Sequence, residues 1–469
     1  MINGGMNMDK IVYPYIPNSV PEIKQKMLEE LGLESVEEIY KEIPERLRFK
    51  GKMNLPEPLL SEYELKRHVE GILAQDKDCK EYLSFLGGGT WQHYVPEVCD
   101  TINSRDEFLT AYVGSAYADH GKYQAIFEYA SMLGELLDFD VVSTPTYDWG
   151  MAAGFSIRMA VRMTGRNEVL LPKTVSPDRL MCIKNLCKPK IKVKLIDYDK
   201  ETGLLDLEDL KNKISDNTAA VYFENPSYLG FIETQGEEIS KIAHEKGAIC
   251  IVGVDPSSLG VLAPPSHYAA DIACGDLQPL GIHMNAGGGL AGFIASRDEE
   301  KFVAEYPTQL WGITETTREG EYGFGDVYFE RTSYASRENA KDFLGTQAAL
   351  WGITAGVYLA LMGPKGMEEL GEGIMQRVNY AQKRLSEIPG VKVPLLNSVN
   401  FKEFIVNFDG TGKKVSEINK KLLDYKIFGG KDISKEFPEL GNSALYCITE
   451  IHMKSDIDRL VDALKEILA

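Results

Sequence analysis

Four short apolar runs alternate with helical candidates between residues 169 and 254: VLLP at 169–172, IKVKLI at 191–196, AAVYF at 219–223 and AICIVGV at 248–254. Each run is apolar on both faces, so a strand built from it must be covered from above and below. DLEDLKNKI supplies a helix after the second run, and Ile239, Ile242 and Ala243 mark another before the fourth. This pattern predicts an α/β fold with a mostly parallel sheet.

The flanks differ. PNSVPEIKQKMLEELG opens with Ser19 as a candidate N-cap and Pro21 near the first helical position, and Gly32 stops it. SVEEIYKEIPERLRF and SEYELKRHVEGILAQ repeat the charged helical pattern, which predicts a helical N-terminal arm over 1–105. Ile126, Ala130, Leu133 and Leu137 share one helical face at the start of a large α/β domain, 106–365. Beyond GPKG at 363–366, FIVNF, VSEINKKLLDY, ALYCIT and a last helix carrying Ile457, Leu460, Val461, Leu464 and Ile467 predict a small α+β domain, 366–469.

Over 469 residues the net charge is −19, which repels phosphate backbones and argues against nucleic acid as a partner. No stretch of signal-peptide or membrane-span character is expected. Seven cysteines without CxxC pairing point to a reduced, cytoplasmic protein, with Cys182 and Cys187 as buried thiols. Seven scattered histidines give no zinc spacing, so no metal is expected.

Ligands of open α/β sheets bind beyond the carboxyl ends of the strands. Asp255 stands just past AICIVGV, where a carboxylate can pair with a protonated pyridine nitrogen, as pyridoxal phosphate enzymes require. It is equally placed as a turn or cap residue. STPTYDWG, with Thr146, precedes a helix and can offer hydroxyls and N–H groups to a phosphate, or simply cap the helix. A pyridoxal enzyme of this layout needs a lysine near position 278, because its amine forms the Schiff base. Gln278 stands there, and no lysine occurs from Pro256 to Glu300. Thr146, Asp255 and Gln278 are therefore candidates for a vestigial cofactor site without a catalytic residue. His93, Tyr94, Tyr112, Tyr117 and His120 are candidates to line a substrate channel, or ordinary loop residues.

Long segments carry a resemblance: IPNSVPEIKQKMLEELGLESVEEIYKEIPERLRF, FLGGGTWQHYVPEVCD, SRDEFLTAY, QAIFEYASMLGELLDFDV, DPSSLGVLAPPSHYAADIACGDLQPLG and LYCITEIHMKSDIDRLVDALKEI. The chain resembles the alpha subunits (subunit 1) of two-subunit glycine decarboxylases, the P-proteins of the glycine cleavage system. The resemblance implies a fold-type-I pyridoxal enzyme fold. It implies an α2β2 assembly in which the homologous beta subunit carries the lysine and the pyridoxal phosphate. It also implies decarboxylation of glycine with aminomethyl transfer to the lipoyl arm of the H-protein. VGSAYADHGKYQ from Val113 and AKDFLGTQAAL from Ala340 depart from the family pattern. They keep open a paralogue acting on another small amino acid, or a structural partner without chemistry.

Overall fold

The computed structural model describes residues 12–13, 15–109 and 120–469, without the side chains of Pro17, His120 and Gly121. Contacts divide the chain into two compact units, Met1–Asp76 and Lys77–Ala469. The arm drawn to residue 105 from its charge pattern thus crosses this division. Leu83 and Ser84 already pair with Ile427 and Phe428 of the second unit, so short strand contacts override the helical composition.

The first unit holds α1 (Pro21–Glu30) and α2 (Glu62–Leu73). Ser61 caps α2, accepting from the Glu64 N–H at 3.3 Å. Ser19 does not cap α1. Val20 holds the N-cap position, and the Ser19 hydroxyl accepts from the Tyr13 N–H at 2.8 Å. Leu28 is the one buried apolar side chain among the described residues of this unit.

The second unit is built on a seven-stranded sheet: β1 (Val141–Val142), β2 (Glu168–Pro172), β3 (Lys192–Ile196), β4 (Thr218–Glu224), β5 (Ile249–Val254), β6 (Ile272–Asp276) and β7 (Gly292–Ser296), in spatial order β1-β7-β6-β5-β4-β2-β3. β3, β2, β4, β5 and β6 pair in parallel, while β7 runs antiparallel between β6 and β1. β2 and β4 are buried along their whole length, as the apolar runs required. α3 (His120–Leu137) buries Ile126, Leu133 and Leu137, with Ala130 half-buried along the same stripe. α4 (Trp149–Thr164) is rich in small residues and packs on α5 (Pro177–Cys187). α6 (Leu207–Lys213) and α7 (Gly236–Glu245) complete the layers.

One long element, α8 (Ala349–Leu385), leads into the C-terminal part of the same compact unit. It is interrupted at Gly363, which takes φ 60° before Pro364. GPKG is thus a break inside one helix, and Lys365 faces solvent beside Glu369. The C-terminal part has a three-stranded antiparallel sheet, with β10 (Ser443–Cys447) between β8 (Glu403–Asn407) and β9 (Lys431–Asp432). α9 (Val415–Leu422) and α10 (Lys454–Leu468) cover it, and all five apolar residues expected of the last helix are buried. Gly230, at φ 87°, lets the segment after β4 touch this sheet, since a Cβ there would lie 1.9 Å from the Glu403 carbonyl oxygen.

Candidate functional site

Three strands of the large sheet end on one polar edge. Glu224 closes β4, Asp255 follows β5, Asp276 closes β6 and Gln278 lies two residues on. The α4 N-terminus meets them there. Thr146 just before it is fully buried, bridges to Gly292 and donates its hydroxyl to the Asp148 carbonyl at 3.1 Å. The topology thus brings Thr146, Asp255 and Gln278 to the same end of the sheet, where ligands of this architecture bind.

Each of these residues already has a partner from the chain. The Asp255 carboxylate lies 2.6 Å from the Lys402 ammonium, and both side chains are buried. Asp255 also accepts from the Ser257 N–H at 3.0 Å and hydroxyl at 2.7 Å. Gln278 accepts from the Trp91 N–H at 3.0 Å and donates to the Trp91 carbonyl at 2.8 Å and the Ile282 carbonyl at 3.1 Å.

Carboxylates occupy the α4 N-terminus. Asp148 caps it, accepting from the Met151 N–H at 2.7 Å, and Asp276 accepts from the Trp149 N–H at 3.2 Å. Asp276 further accepts from Gln278 and Ala291. Burial dominates its proton affinity and lifts its pKa from 3.8 to about 7 against those hydrogen bonds. Arg179 in the first turn of α5 makes a two-pronged pair with Glu224, at 2.7 and 2.8 Å, and lies 4.2 Å from the Trp149 ring centre. Burial works against the Arg179 charge, but Glu224 outweighs it and holds the guanidinium above its ordinary range.

Next to Asp255 the remaining space is about 10 Å³, bounded by Trp91, Trp149, Arg179 and Lys402. That is roughly room for one water molecule. A further pocket of about 220 Å³ lies toward Gly89, Asp148, Arg179 and Asp276. Its carboxylates disfavour a phosphate, and the ring position beside Asp255 is full. The residues present therefore do not fit pyridoxal phosphate. Among the described residues, no group of three His, Cys, Asp or Glu side chains is arranged to hold a metal ion.

The substrate-channel candidates separate. His93 is buried, with Nδ1 2.7 Å from Glu450 Oε2 and Nε2 without a hydrogen-bond partner. Tyr94 is exposed, and its N–H donates to Glu450 Oε1 at 2.7 Å. Tyr112 and Tyr117 lie outside the described residues. His120 begins α3, and its side chain lies outside the description too. Cys187 is buried as expected, whereas Cys182 is half-buried beside the larger pocket.

Sequence reasoning missed Trp91, Arg179, Glu224, Asp276 and Lys402. Glu224 and Asp276 end apolar strands, and the rule that found Asp255 applies to both. Trp91 and Lys402 lie far from the sheet in sequence and carry no local signal.

The family described as glycine cleavage system P-protein matches residues 14–464. A relative from Staphylothermus marinus, named probable glycine dehydrogenase (decarboxylating) subunit 1, is 40% identical, covering 97% of this chain and 98% of its own. A relative of the same name from Pyrococcus furiosus is 39% identical, covering 97% and 99%. Among solved structures, the chain is similar to a glycine decarboxylase (P-protein) of the glycine cleavage system in inhibitor-bound form. There the TM-score is 0.84 at 30% identity, covering 97% of this chain and 100% of that one. A NifS-like protein from Rickettsia africae shares the fold alone, with a TM-score of 0.60 at 14% identity.

Proposed function

The chain belongs to the glycine cleavage system P-protein family, and from that premise we propose that it is the alpha subunit of a two-subunit glycine decarboxylase. The observation that carries this reading is the end-to-end match to subunit 1 relatives, joined to a sheet edge that holds Gln278 in place of an amine. Chemistry at this edge is blocked in two ways. Gln278 has no nucleophilic nitrogen, and the Lys402 amine is held as an ion-pair partner by the buried Asp255 carboxylate.

The reactive site therefore belongs to a homologous beta subunit, in an α2β2 assembly. Pyridoxal phosphate held there supplies the electron sink for the carbanion left when glycine loses CO2. The lipoylated H-protein accepts the aminomethyl group. This chain contributes a folded wall to that site. His93, Tyr94, Tyr112 and His120 are the substrate-pocket candidates of this reading, with Thr146, Asp255 and Gln278 as remnants of a cofactor site. The seven cysteines are all free thiols, which supports a reducing, cytoplasmic setting. No helix among the described residues is long and apolar enough to cross a membrane.

The test is co-expression with a beta chain, light scattering, and assay of the complex with lipoylated H-protein on glycine, sarcosine and alanine. The expected outcome is an α2β2 complex that turns over glycine, while this chain alone is inert. A monodisperse chain indifferent to any beta subunit would overturn it.

A further inference from the structure

Asp255 follows a strand of the large sheet and Lys402 precedes a strand of the C-terminal sheet, and they meet at 2.6 Å beside the carboxyl end of β5. We propose that Lys402 and Trp91 fill this position permanently, and that Gln278 is there to hold the filling, so that the C-terminal sheet is bolted to the large sheet.

The ammonium of Lys402 is an ion-pair partner of Asp255 but lies off the line of a hydrogen bond to it. Its centre sits 4.2 Å from the Trp91 ring centre, within cation–π reach. A buried ammonium needs such compensation. Here the carboxylate and the indole both supply it, one by charge and the other by its ring face.

The backbone is shaped for this contact. Lys402 adopts φ 61°, a region that residues with a Cβ avoid. It is held there on both sides, because Ile448 N–H donates to the Lys402 carbonyl at 2.8 Å and Phe401 N–H donates to the Gly230 carbonyl at 3.0 Å. A surface lysine would have no reason to keep this conformation.

Gln278 completes the lock. Its amide is donor and acceptor at once, and it satisfies both the N–H and the carbonyl of Trp91. A lysine at 278 offers only donors, and would leave the Trp91 N–H buried without an acceptor. The glutamine is thus an active clamp on the residue that covers Lys402, in addition to being a lost nucleophile. Residues 91, 255, 278 and 402 tie three distant parts of the chain together around about 10 Å³ of space. The surface this chain offers its partner is then independent of any cofactor of its own. This inference rests on the pocket, and not on which amino acid the assembled enzyme uses.

The test uses the full-length chain and four forms: wild type, Gln278→Lys, Lys402→Met and Asp255→Leu/Lys402→Met. The probes are pyridoxal phosphate with borohydride trapping and peptide mapping, thermal midpoint, and hydrogen exchange over 251–258 and 401–407. Gln278→Lys is expected to take up no stoichiometric cofactor at residue 278 and to melt lower than wild type. Lys402→Met is expected to melt several degrees lower and to exchange faster in both segments, because it strands the Asp255 carboxylate. The double variant, which removes both charges, is expected to recover most of the midpoint. If Lys402→Met does not fold, folding of the double variant carries the same conclusion. One equivalent of cofactor on residue 278 of Gln278→Lys would overturn the proposal. So would a Lys402→Met chain with wild-type midpoint and exchange. Neither readout involves glycine turnover, so failure of the glycine assay bears on the subunit assignment alone.

Discussion

His93 Nδ1 lies 2.7 Å from Glu450 Oε2, joining the loop before the Glu97–Asn103 helix to the segment that follows β10. Burial alone raises the Glu450 pKa, but His93 and the Tyr94 N–H outweigh it and bring the pKa from 4.5 down to about 2. A lowered carboxyl pKa stabilises the fold above its ordinary value, and that stability is lost as the pH falls toward the folded value. Wild-type protein is expected to lose thermal midpoint as the pH drops from about 5 to about 2. Glu450→Gln is expected to start lower at neutral pH and to fall less steeply. Identical slopes for the two proteins would remove Glu450 from the acid limb.

Asp276 works with the opposite sign. Burial raises its pKa to about 7, so the folded state binds a proton that the unfolded chain has released. The stabilisation is complete below about 3.8 and is lost as the pH rises through about 7. Asp276→Asn removes this titration, but leaves one oxygen for three N–H groups. Its midpoint is expected to be lower than wild type near pH 5, with a shallower decline toward pH 8. Calorimetry across that range checks it, and a decline as steep as wild type counts against Asp276 as the group responsible.

The strands were legible because their apolar runs have a physical reason that acts locally: a covered parallel strand must be apolar on both faces. AAVYF falls inside β4, and AICIVGV matches β5 except for Ala248, for that reason. The two-residue β1 was not legible, since VV carries no periodicity and its place is set by pairing with β7. At the site, Asp255 and Gln278 were readable from strand ends and spacing. Lys402 was not, because its partner lies 147 positions away and only the tertiary fold brings them together. Ser19 shows the same limit on a small scale. A good capping residue stood beside Pro21, yet the Tyr13 N–H competed for its hydroxyl and won.

Gly230 and Gly412 both take positive φ, at 87° and 70°, and differ in what surrounds them. A Cβ on Gly412 meets open space, so Gly412→Ala is expected to cost only the left-handed conformation, about 1–2 kcal/mol. A Cβ on Gly230 meets the Glu403 backbone at 1.9 Å, which cannot swing aside. Gly230→Ala is expected to cost clearly more, and to loosen the contact that places Lys402. Urea unfolding of both variants makes the comparison, and equal costs would show that the contact yields more easily than its geometry implies.

Arg179 and Glu224 form a buried two-pronged pair that the Trp149 ring covers from one side. Taking both charges from water is expensive, so the pair adds little over an apolar filling, whereas breaking it strands a charge. Arg179→Met is therefore expected to destabilise the chain by about 3–5 kcal/mol, leaving the Glu224 carboxylate buried without its partner. Arg179→Lys keeps the charge but not the planar fork, and it loses the stacking on Trp149, so it is expected to recover only a minor part. Arg179→Met/Glu224→Met removes both charges and is expected to regain most of the loss. The measurement is denaturant unfolding of wild type, Arg179→Met, Glu224→Met and the double variant as a double-mutant cycle, with Arg179→Lys beside them. A cycle that closes with no coupling would mean that Arg179 stabilises this edge through its stacking alone, and that Glu224 finds another donor when it is gone.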